Sequence, residues 1–524
     1  IADINSGLSK TPSVELQQPK PRWKRTTRFV AGLVLAIALV AGLVVAGYFG
    51  RHPLKAVPTQ GRGRVMLAVP PFENLSNDPG QEYFSDGLTE ETITDLGQLS
   101  PERLGVIART SAMAFKHTRK SANQVGQELG VDYLLEGSVR REGERVRISA
   151  QLIRVNDQTQ IWAQSYDREM REFLQLQNEL GGAIAEQVQV RLTRQQNLQQ
   201  TRTPRVNSAA HDDYLRGLSF VNKFRTDDVK KSIGFFQKAI EEEPSYAQPY
   251  AGLSESYSIL GDFGELPPTE AYLKSEAAAR KAVDLDSGSS EAHSALGWQL
   301  LLYDRDWVDS EREFRRAIEL NPSNADAHQG YAMYFAARRQ LNEASREISQ
   351  ARDLDPFSLN INMDQARVLF YQRQFDQAVR QLQASLDLDP NFSGAHWMLM
   401  EVYDGQRLYD EAFEEQCKSN DYAAENPRFL AELQEIHSKF GWKSARQKIL
   451  ATRLDERSKG KATAYDLAED YLVLGQTDKA LDWLQKAVDE HHSQVIFINV
   501  DPRFDALHSD LRFQNLVRRL DLPL

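Results

Sequence analysis

A run of carboxylates early in the chain is the arrangement best suited to chemistry. Seven polar residues fall within one short stretch: Glu73, Asn74, Ser76, Asp78, Glu82, Asp86 and Glu90. Oxygen ligands of this kind suit a divalent cation, and paired carboxylates can perform acid–base catalysis. However, Asp78-Pro79-Gly80 is typical of a turn, and acids in the first turn of a following helix stabilise its dipole. We therefore favour a structural interpretation and expect no metal site.

Three other groups of reactive side chains are also better explained as structure. A basic stripe on a predicted hairpin is more typical of a solvated face than of a ligand or lipid site; it contains Arg140, Arg141, Arg145, Arg147 and Arg154. Cys417 is the sole cysteine, which excludes intrachain disulfides and cysteine-based zinc clusters and favours a small packing residue. His491 and His492 are adjacent, so on a helix they cannot face one metal, and we expect them at the surface.

The sequence carries no nucleophile elbow, no glycine-rich phosphate loop, no HExxH motif and no kinase signature. We therefore expect no enzyme activity in this chain and no cofactor. The net charge is −11, with residues 1–64 contributing +8 and the remaining 460 residues −19. An acidic bulk repels phosphate backbones, so this chain is not expected to bind nucleic acid.

An apolar stretch at residues 29–49 predicts one transmembrane helix, because about 21 uncharged residues span roughly 30 Å of hydrocarbon. Lys20, Arg22, Lys24, Arg25 and Arg28 crowd its N-terminal flank, which places the N-terminus in the cytoplasm and the following domains in the periplasm of a bacterial inner membrane. Residues 1–28 are expected to be a disordered basic linker, and residues 50–64 a second linker. Since the chain starts at Ile1 rather than Met, we expect a domain to precede it.

Residues 65–166 have the pattern of an α/β domain. Val65 to Val69 predicts a strand that ends at two prolines, Leu88 to Leu99 a helix, Leu104 to Ile107 a second strand, and Val125 to Leu129 a second helix. Tyr133 to Tyr166 alternates as three strands of a meander. The order predicts a mixed sheet with helices packed on it.

Four segments carry a family resemblance: LAVPPFENLSNDPGQEYFSDGLTEETITDL, VIARTSAMAFK, LGVDYLLEGSVRREGERVRISAQLI and QIWAQSYDRE. They resemble the TolB amino-terminal-like domain of bacterial membrane proteins. The resemblance implies a sensory or scaffolding module rather than a catalyst.

A 34-residue period then runs through residues 207–490. Ala317, Ala351 and Ser385 are 34 apart, and so are Pro322, Pro356 and Pro390. This is the period of tetratricopeptide (TPR) repeats, pairs of helices that stack into an all-α superhelical solenoid. We expect about seven repeats, with one insertion of about nine residues near Gly261 to Glu265, and a phase that is lost after Ala412 and returns at Leu467.

Two flanking segments complete the predicted organisation. Residues 167–206 form a connecting helix whose apolar positions, Leu174 to Val188, offer a possible homodimer face. Residues 491–524 are expected to cap the exposed end of the array, because terminal repeats need a polar outer face.

The resemblance to TPR proteins implies a groove, lined by the first helix of each repeat, that binds a protein or peptide. By phase the predicted lining residues are Glu255, Trp298, Met333, Arg367, Phe370, Trp397, Glu401 and Tyr465. Trp298 and Trp397 fit the aromatic anchors of interface hot spots.

The combination of membrane helix, TolB-like domain and TPR repeats resembles the exported half of CadC/ToxR-like one-component regulators, which carry an N-terminal winged helix that contacts DNA. The expected function is a membrane-anchored sensory scaffold of such a regulator. Two alternatives stay open: the exported half of a class III adenylate cyclase or Ser/Thr kinase, and a self-standing envelope scaffold.

Overall fold

The computed structural model describes residues 64–76, 78–99, 102–188, 206–262, 265–419 and 427–523, all within one compact unit, Gly63–Leu524. Across these ranges no helix combines the length and hydropathy needed to cross a bilayer. The predicted transmembrane helix at 29–49 and the linker at 1–28 lie outside the described residues, as does all but the last residue of the linker at 50–64.

The first part of the unit is a mixed sheet. Its strands are β1 (Val65–Ala68), β2 (Glu73–Asn74), β3 (Leu104–Val106), β4 (Tyr133–Glu142), β5 (Arg145–Arg154) and β6 (Thr159–Glu169). The order is β3-β1-β4-β5-β6; β2 pairs beside β4, β1 is parallel to both neighbours, and β4 to β6 form the antiparallel meander. The predicted mixed sheet is confirmed, with the short strand β2 as an addition.

Local sequence explains these elements. The alternating residues Val146, Ile148, Ala150 and Leu152 of β5 are buried, as a half-buried strand requires. Gly143, with φ of 59°, supplies the left-handed residue of the turn between β4 and β5.

Four helices accompany the sheet: α1 (Glu82–Leu99), α2 (Arg109–Met113), α3 (Ala122–Leu129) and α4 (Phe173–Gln187). The apolar face of α4 is buried, with Leu176, Leu180 and Ile184 each at most 1% exposed. It packs against α1, where Gln177 donates to Glu91 at 2.7 Å. In the described part of residues 167–206 this corrects the possible dimerisation role, because Leu176, Leu180 and Ile184 of the apolar stripe are already covered within the chain.

Eight helix pairs follow in the described part of the chain. They are α5 (Ser208–Val221) and α6 (Thr226–Glu242), α7 (Gln248–Asp262) and α8 (Pro268–Leu285), α9 (Ser290–Gln299) and α10 (Trp307–Leu320), α11 (Ala325–Ala337) and α12 (Leu341–Leu354), α13 (Leu359–Tyr371) and α14 (Phe375–Leu388), α15 (Ser393–Gln406) and α16 (Tyr409–Lys418), α17 (Pro427–Phe440) and α18 (Trp442–Ser458), and α19 (Ala464–Val473) and α20 (Thr477–Asp489). The predicted all-helical TPR-like solenoid is confirmed.

The turn between the two helices of a pair also repeats, with the same spacing and the same backbone conformation in four successive pairs. Arg305, Arg339, Arg373 and Arg407 are 34 apart and all adopt φ between 58° and 62°, the left-handed conformation that ends a first helix. A π-helical turn at Leu300–Asp304 inserts one residue. It explains a second slip that the sequence analysis missed, the 35-residue interval from Ala282 to Ala317.

The last segment contains two 3₁₀ turns, Ser493–Phe497 and Pro502–Leu507, and α21 (Leu511–Arg519). We call residues 493–523 the C-terminal segment. It does more than cap the last repeat, because Trp307 donates from Nε1 to the carbonyl of Leu520 at 3.1 Å, and Arg373 donates to the carbonyl of Val500 at 3.0 Å. The segment therefore folds back over the turns of earlier pairs.

The sheet domain docks on the other edge of the array, at the loops between pairs. Val106 N donates to Ser323 Oγ at 3.1 Å, Ala108 N to the carbonyl of Leu354 at 2.8 Å, and Ser111 N to Asp355 Oδ1 at 2.9 Å. One apolar cluster runs from Ile107 of this domain to Phe314 of α10. The two parts consequently share a core rather than joining only through a linker.

Candidate protein-binding groove

The first helices of three successive pairs present one repeated face. In α11 it carries Asp326, Gln329 and Met333, spaced as i, i+3 and i+7 on one side of a helix. The equivalent residues, 34 and 68 positions later, are Asn360, Met363 and Arg367 in α13, and Gly394, Trp397 and Glu401 in α15. We call this surface, with its continuation on α7, α9 and α19, the groove.

Five of the eight predicted groove residues are buried in the folded chain. Met333 and Phe370 are 1% and 0% exposed and belong to the core. Arg367, Glu401 and Tyr465 are also buried, at 7% or less. The physical reason is twofold: the larger apolar side chains face the neighbouring helices, and the C-terminal segment covers part of the groove.

Trp298 and Trp397 keep partly exposed side chains. Trp298 donates from Nε1 to Asp326 Oδ1 at 3.2 Å, and its ring meets Phe314 edge-on at 5.8 Å. The guanidinium of Arg367 lies 5.4 Å from the ring centroid of Trp397, a cation–π contact. Both tryptophans are thus held on one side and open on the other.

Acidic groups surround this open region. Glu255 is exposed, yet desolvation by the surrounding protein raises the pKa of its carboxyl to about 7, with Glu90 and Asp326 adding to the rise. Glu90 belongs to α1 of the sheet domain, where Arg109 lies 3.0 Å away and Asn222 donates at 3.0 Å. Burial likewise raises the pKa of Asp95 to about 7, beside Glu91. The sheet domain therefore contributes to the charge of the groove.

The residue that sequence reasoning missed is Arg503. It lies in the C-terminal segment, is buried, and places its guanidinium nitrogens 2.6 Å from Glu401 Oε1 and 2.8 Å from Glu469 Oε1. Asp501 completes the ion cluster at 2.5 Å. Repeat phase cannot reveal this contact, because the C-terminal segment has no equivalent in the repeats; the only signal was an arginine within the largely apolar run IFINVDPRF, which also holds Asn499 and Asp501.

The early carboxylates have structural partners. Asp78 Oδ1 accepts from Gly80 N at 2.8 Å and so caps the 3₁₀ turn Pro79–Gln81. Glu82 and Asp86 lie 2.8 Å and 2.7 Å from Lys116 Nζ. Within the described ranges no group of acids, histidines or cysteine has the arrangement of a metal site.

The basic stripe divides between local and long-range pairs. Arg145 pairs with Asp167 at 2.7 Å and Arg154 with Asp157 at 3.1 Å. Arg141 instead pairs with Asp212 of α5, on which Tyr83 also donates at 2.7 Å, so this arginine ties the sheet to the array.

Two reactive side chains are held in unreactive states. Burial raises the pKa of the Cys417 thiol to about 11, which leaves little thiolate near neutral pH. His492 stacks on Tyr465 with ring centroids 4.8 Å apart, and desolvation lowers the pKa of its imidazole to about 4. His491 is exposed, as the sequence predicts, whereas His492 is only partly exposed.

Comparison with known protein families and structures agrees with this architecture. Residues 63–182 match the family described as HilA/YgeH-like transcriptional regulator, second domain, and residues 363–419 match a tetratricopeptide repeat family. The first of these regions is the one whose residues resemble the TolB amino-terminal-like domain. The chain thus combines a HilA-like regulator domain with a TPR-type protein-interaction scaffold.

Two curated relatives match about half of the chain. A protein of Rhizobium meliloti (strain 1021) named "Putative adenylate cyclase 3" is 34% identical over 248 residues, covering 46% of this chain and 41% of the relative. The transcriptional regulator HilA of Salmonella typhimurium is 22% identical over 279 residues, covering 53% of this chain and 48% of the relative. The chain spans less than half the length of either relative.

Solved structures with similar helical repeats include YrrB, titled a TPR protein with an unusual peptide-binding site, at 21% identity and a TM-score of 0.25 over 38% of this chain and 97% of that one. A human IFIT1 dimer with m7Gppp-AAAA reaches 16% identity and a TM-score of 0.40 over 61% and 87%. Nothing about ligands follows from likenesses at these TM-scores.

Proposed function

We propose that this chain is the partner-binding, sensory half of a membrane-anchored bacterial signalling protein. One observation carries the proposal: Trp298 and Trp397 keep partly exposed rings on first helices of a TPR array, and Trp298 donates to the acidic side chain of Asp326. Rigid aromatic side chains that are fixed on one side provide contact area at little entropic cost, as interface hot spots require. The partner is a protein or peptide segment bound in the open part of the groove.

The effector that we propose is a DNA-binding domain N-terminal to the present chain. A regulator domain similar to that of HilA supports this reading, because HilA is named a transcriptional regulator. DNA contact is assigned to the effector, since the residues beyond 64 carry a charge of −19. Residues 29–49 would anchor the protein in the inner membrane, with the sheet domain and array in the periplasm.

A second candidate effector is a nucleotide cyclase. The relative named as an adenylate cyclase has the higher identity, 34% against 22%, over a similar share of the chain. Expression of the complete gene separates the candidates: a regulator changes transcription from its target promoters, whereas a cyclase raises cellular cyclic AMP. Accumulation of cyclic AMP without a DNA-binding phenotype would replace the first candidate by the second.

The groove assignment is tested by photocrosslinking in cells. A benzophenone amino acid placed at position 298 or 397 is expected to capture one defined partner, whereas the same probe at Trp483, a partly exposed tryptophan of α20, captures none. Trp298→Ala with Trp397→Ala should then weaken binding of the identified partner at least tenfold while the chain stays folded. Equal capture at all three positions, or collapse of the fold in the double variant, would refute the groove assignment.

A further inference from the structure

The C-terminal segment occupies the groove in the manner of a bound peptide. Phe497 stacks on Tyr371, at the end of α13, with ring centroids 5.7 Å apart. Phe504 lies 6.3 Å from the ring of Tyr465 on α19, and both phenylalanines are at most 2% exposed. Aromatic side chains of the segment therefore pack against the first helices that form the groove.

Array side chains also hold the main chain of the segment. Arg373 donates to the carbonyl of Val500 at 3.0 Å, Trp307 to that of Leu520 at 3.1 Å, and Arg338 to that of Asp521 at 2.5 Å. Arg373 additionally pairs with Asp505 at 2.6 Å. Contacts to main-chain carbonyls fix the course of a peptide without reading its sequence, so specificity must come from another contact.

Arg503 supplies that specificity. Its partners Glu401 and Glu469 are 68 residues apart, two repeat periods, and therefore occupy the same position on α15 and α19. Both carboxylates are buried, and burial raises their pKa values to about 7 and about 8. Both carboxyls approach the same guanidinium, which is planar and can pair with the two of them at once.

We infer that residues 493–523 are an intramolecular ligand of the groove, and that the part of the groove on α13, α15 and α19 is a receptor for an apolar segment bearing an arginine. The inference deepens the proposed function and rests on it only for the position of the outside partner. That partner contacts the open part of the groove near Trp298 and Trp397. Any partner that reaches Glu401 and Glu469 must present an arginine and displace Arg503.

In the test, the full-length chain is folded first and is then cut once by a protease. A protease recognition sequence inserted between Glu490 and His491, both exposed, permits a single cut in the folded protein. A fluorescent synthetic peptide of residues 491–524 is then offered in excess to the cut chain. We expect the peptide to exchange with the native fragment at a ratio of one to one, with the array retaining its helical circular dichroism.

Peptide variants identify the recognised side chain. Arg503→Met in the peptide should weaken binding about 30-fold or more, because it leaves two buried carboxylates without a cation. Arg512→Met is the matched control, since Arg512 pairs with Asp478 and Asp510 at the surface, and its binding should stay within about threefold of the native peptide. Glu401→Gln with Glu469→Gln in the cut chain should abolish the difference between the native and Arg503→Met peptides.

Three results would overturn the inference: equal affinity of the native and Arg503→Met peptides, failure of the labelled peptide to enter the cut chain, or unfolding of the array when the fragment leaves. The last would show that the segment is part of the fold rather than a ligand. No outside partner enters this experiment, so its failure leaves the crosslinking test of the proposed function standing, and the reverse also holds.

Discussion

Gln381 donates a hydrogen bond from its side-chain amide to Oδ1 of Asn362 at 2.7 Å, linking the second helix of a pair to the first. In the neighbouring pairs the same two positions hold a histidine and a glutamate, with His328 Nδ1 2.7 Å from Glu347 and His396 Nδ1 2.6 Å from Glu415. The other end of each side chain bonds the carbonyl of the preceding loop proline; Asn362 donates to Pro356 at 2.9 Å. The same contact between the two helices of a pair is thus made by asparagine and glutamine in one repeat and by histidine and glutamate in its neighbours.

The equivalence of the two pairs is testable by exchange. Asn362→His or Gln381→Glu alone should cost about 1–2 kcal/mol, because each leaves a buried polar group mismatched. The double variant should recover to within about 0.5 kcal/mol of the native free energy of unfolding, measured in urea. Additive losses in the double variant would show that the positions are not coupled.

Docking of the sheet domain depends on Asp355, which is 4% exposed and accepts from both N and Oγ of Ser111. Asp355→Ala should cost about 1–3 kcal/mol and speed hydrogen exchange at the amide of Ser111, because that amide loses its acceptor. Asp389→Ala is the control at the same repeat position, where the carboxylate accepts from Asn391 N within its own loop. Equal exchange at Ser111 in both variants would contradict the assigned contact.

Close packing of successive pairs requires glycine at position 330. A Cβ there would overlap the ring of Phe314, as would a Cβ at Gly297 of the preceding first helix. Gly330→Ala should lower the free energy of unfolding by about 1–3 kcal/mol. Gly234→Ala on α6, where a Cβ meets nothing within 4 Å, should instead stabilise by about 0.5–1 kcal/mol. Thermal melts of the two variants should move in opposite directions.

The buried carboxylates Glu401 and Glu469 predict a pH dependence. Their ordinary pKa is 4.5; burial, with Asp501 adding to the rise and Arg503 opposing it, raises the pKa to about 7 for Glu401 and about 8 for Glu469 in the folded chain. The unfolded state therefore binds fewer protons between these values, so stability from both groups is complete below pH 4.5 and is lost as pH rises to about 8. The melting temperature should fall from pH 5.5 to 8.5.

Glu401→Gln with Glu469→Gln should flatten that decline, leaving the part contributed by Glu255 and Asp95, whose carboxyl pKa values are also raised to about 7. Glu435→Gln serves as control, because Glu435 is exposed and its pKa is lowered by Lys439. An unchanged slope in the double glutamine variant would refute the assignment.

The sequence alone determined the repeat architecture and the β-meander. A TPR hairpin is specified by contacts within about 34 residues, so the period can be read directly from residues such as Ala317, Ala351 and Pro356. The strand alternation in Val146 to Leu152 is equally local. Trp298, Trp397 and Glu255 were located by the same phase, and the structure leaves all three at least partly exposed.

Only the tertiary structure decided which of the groove residues are accessible. Arg503 reaches Glu401 across about 100 residues, and Ser111 reaches Asp355 across 244, between segments that share no repeat. A periodic pattern records the contacts that recur in every repeat, whereas the docking of the sheet domain and of residues 493–523 each occurs once. Their positions follow from complementary burial and charge in the folded chain, which no local periodicity encodes.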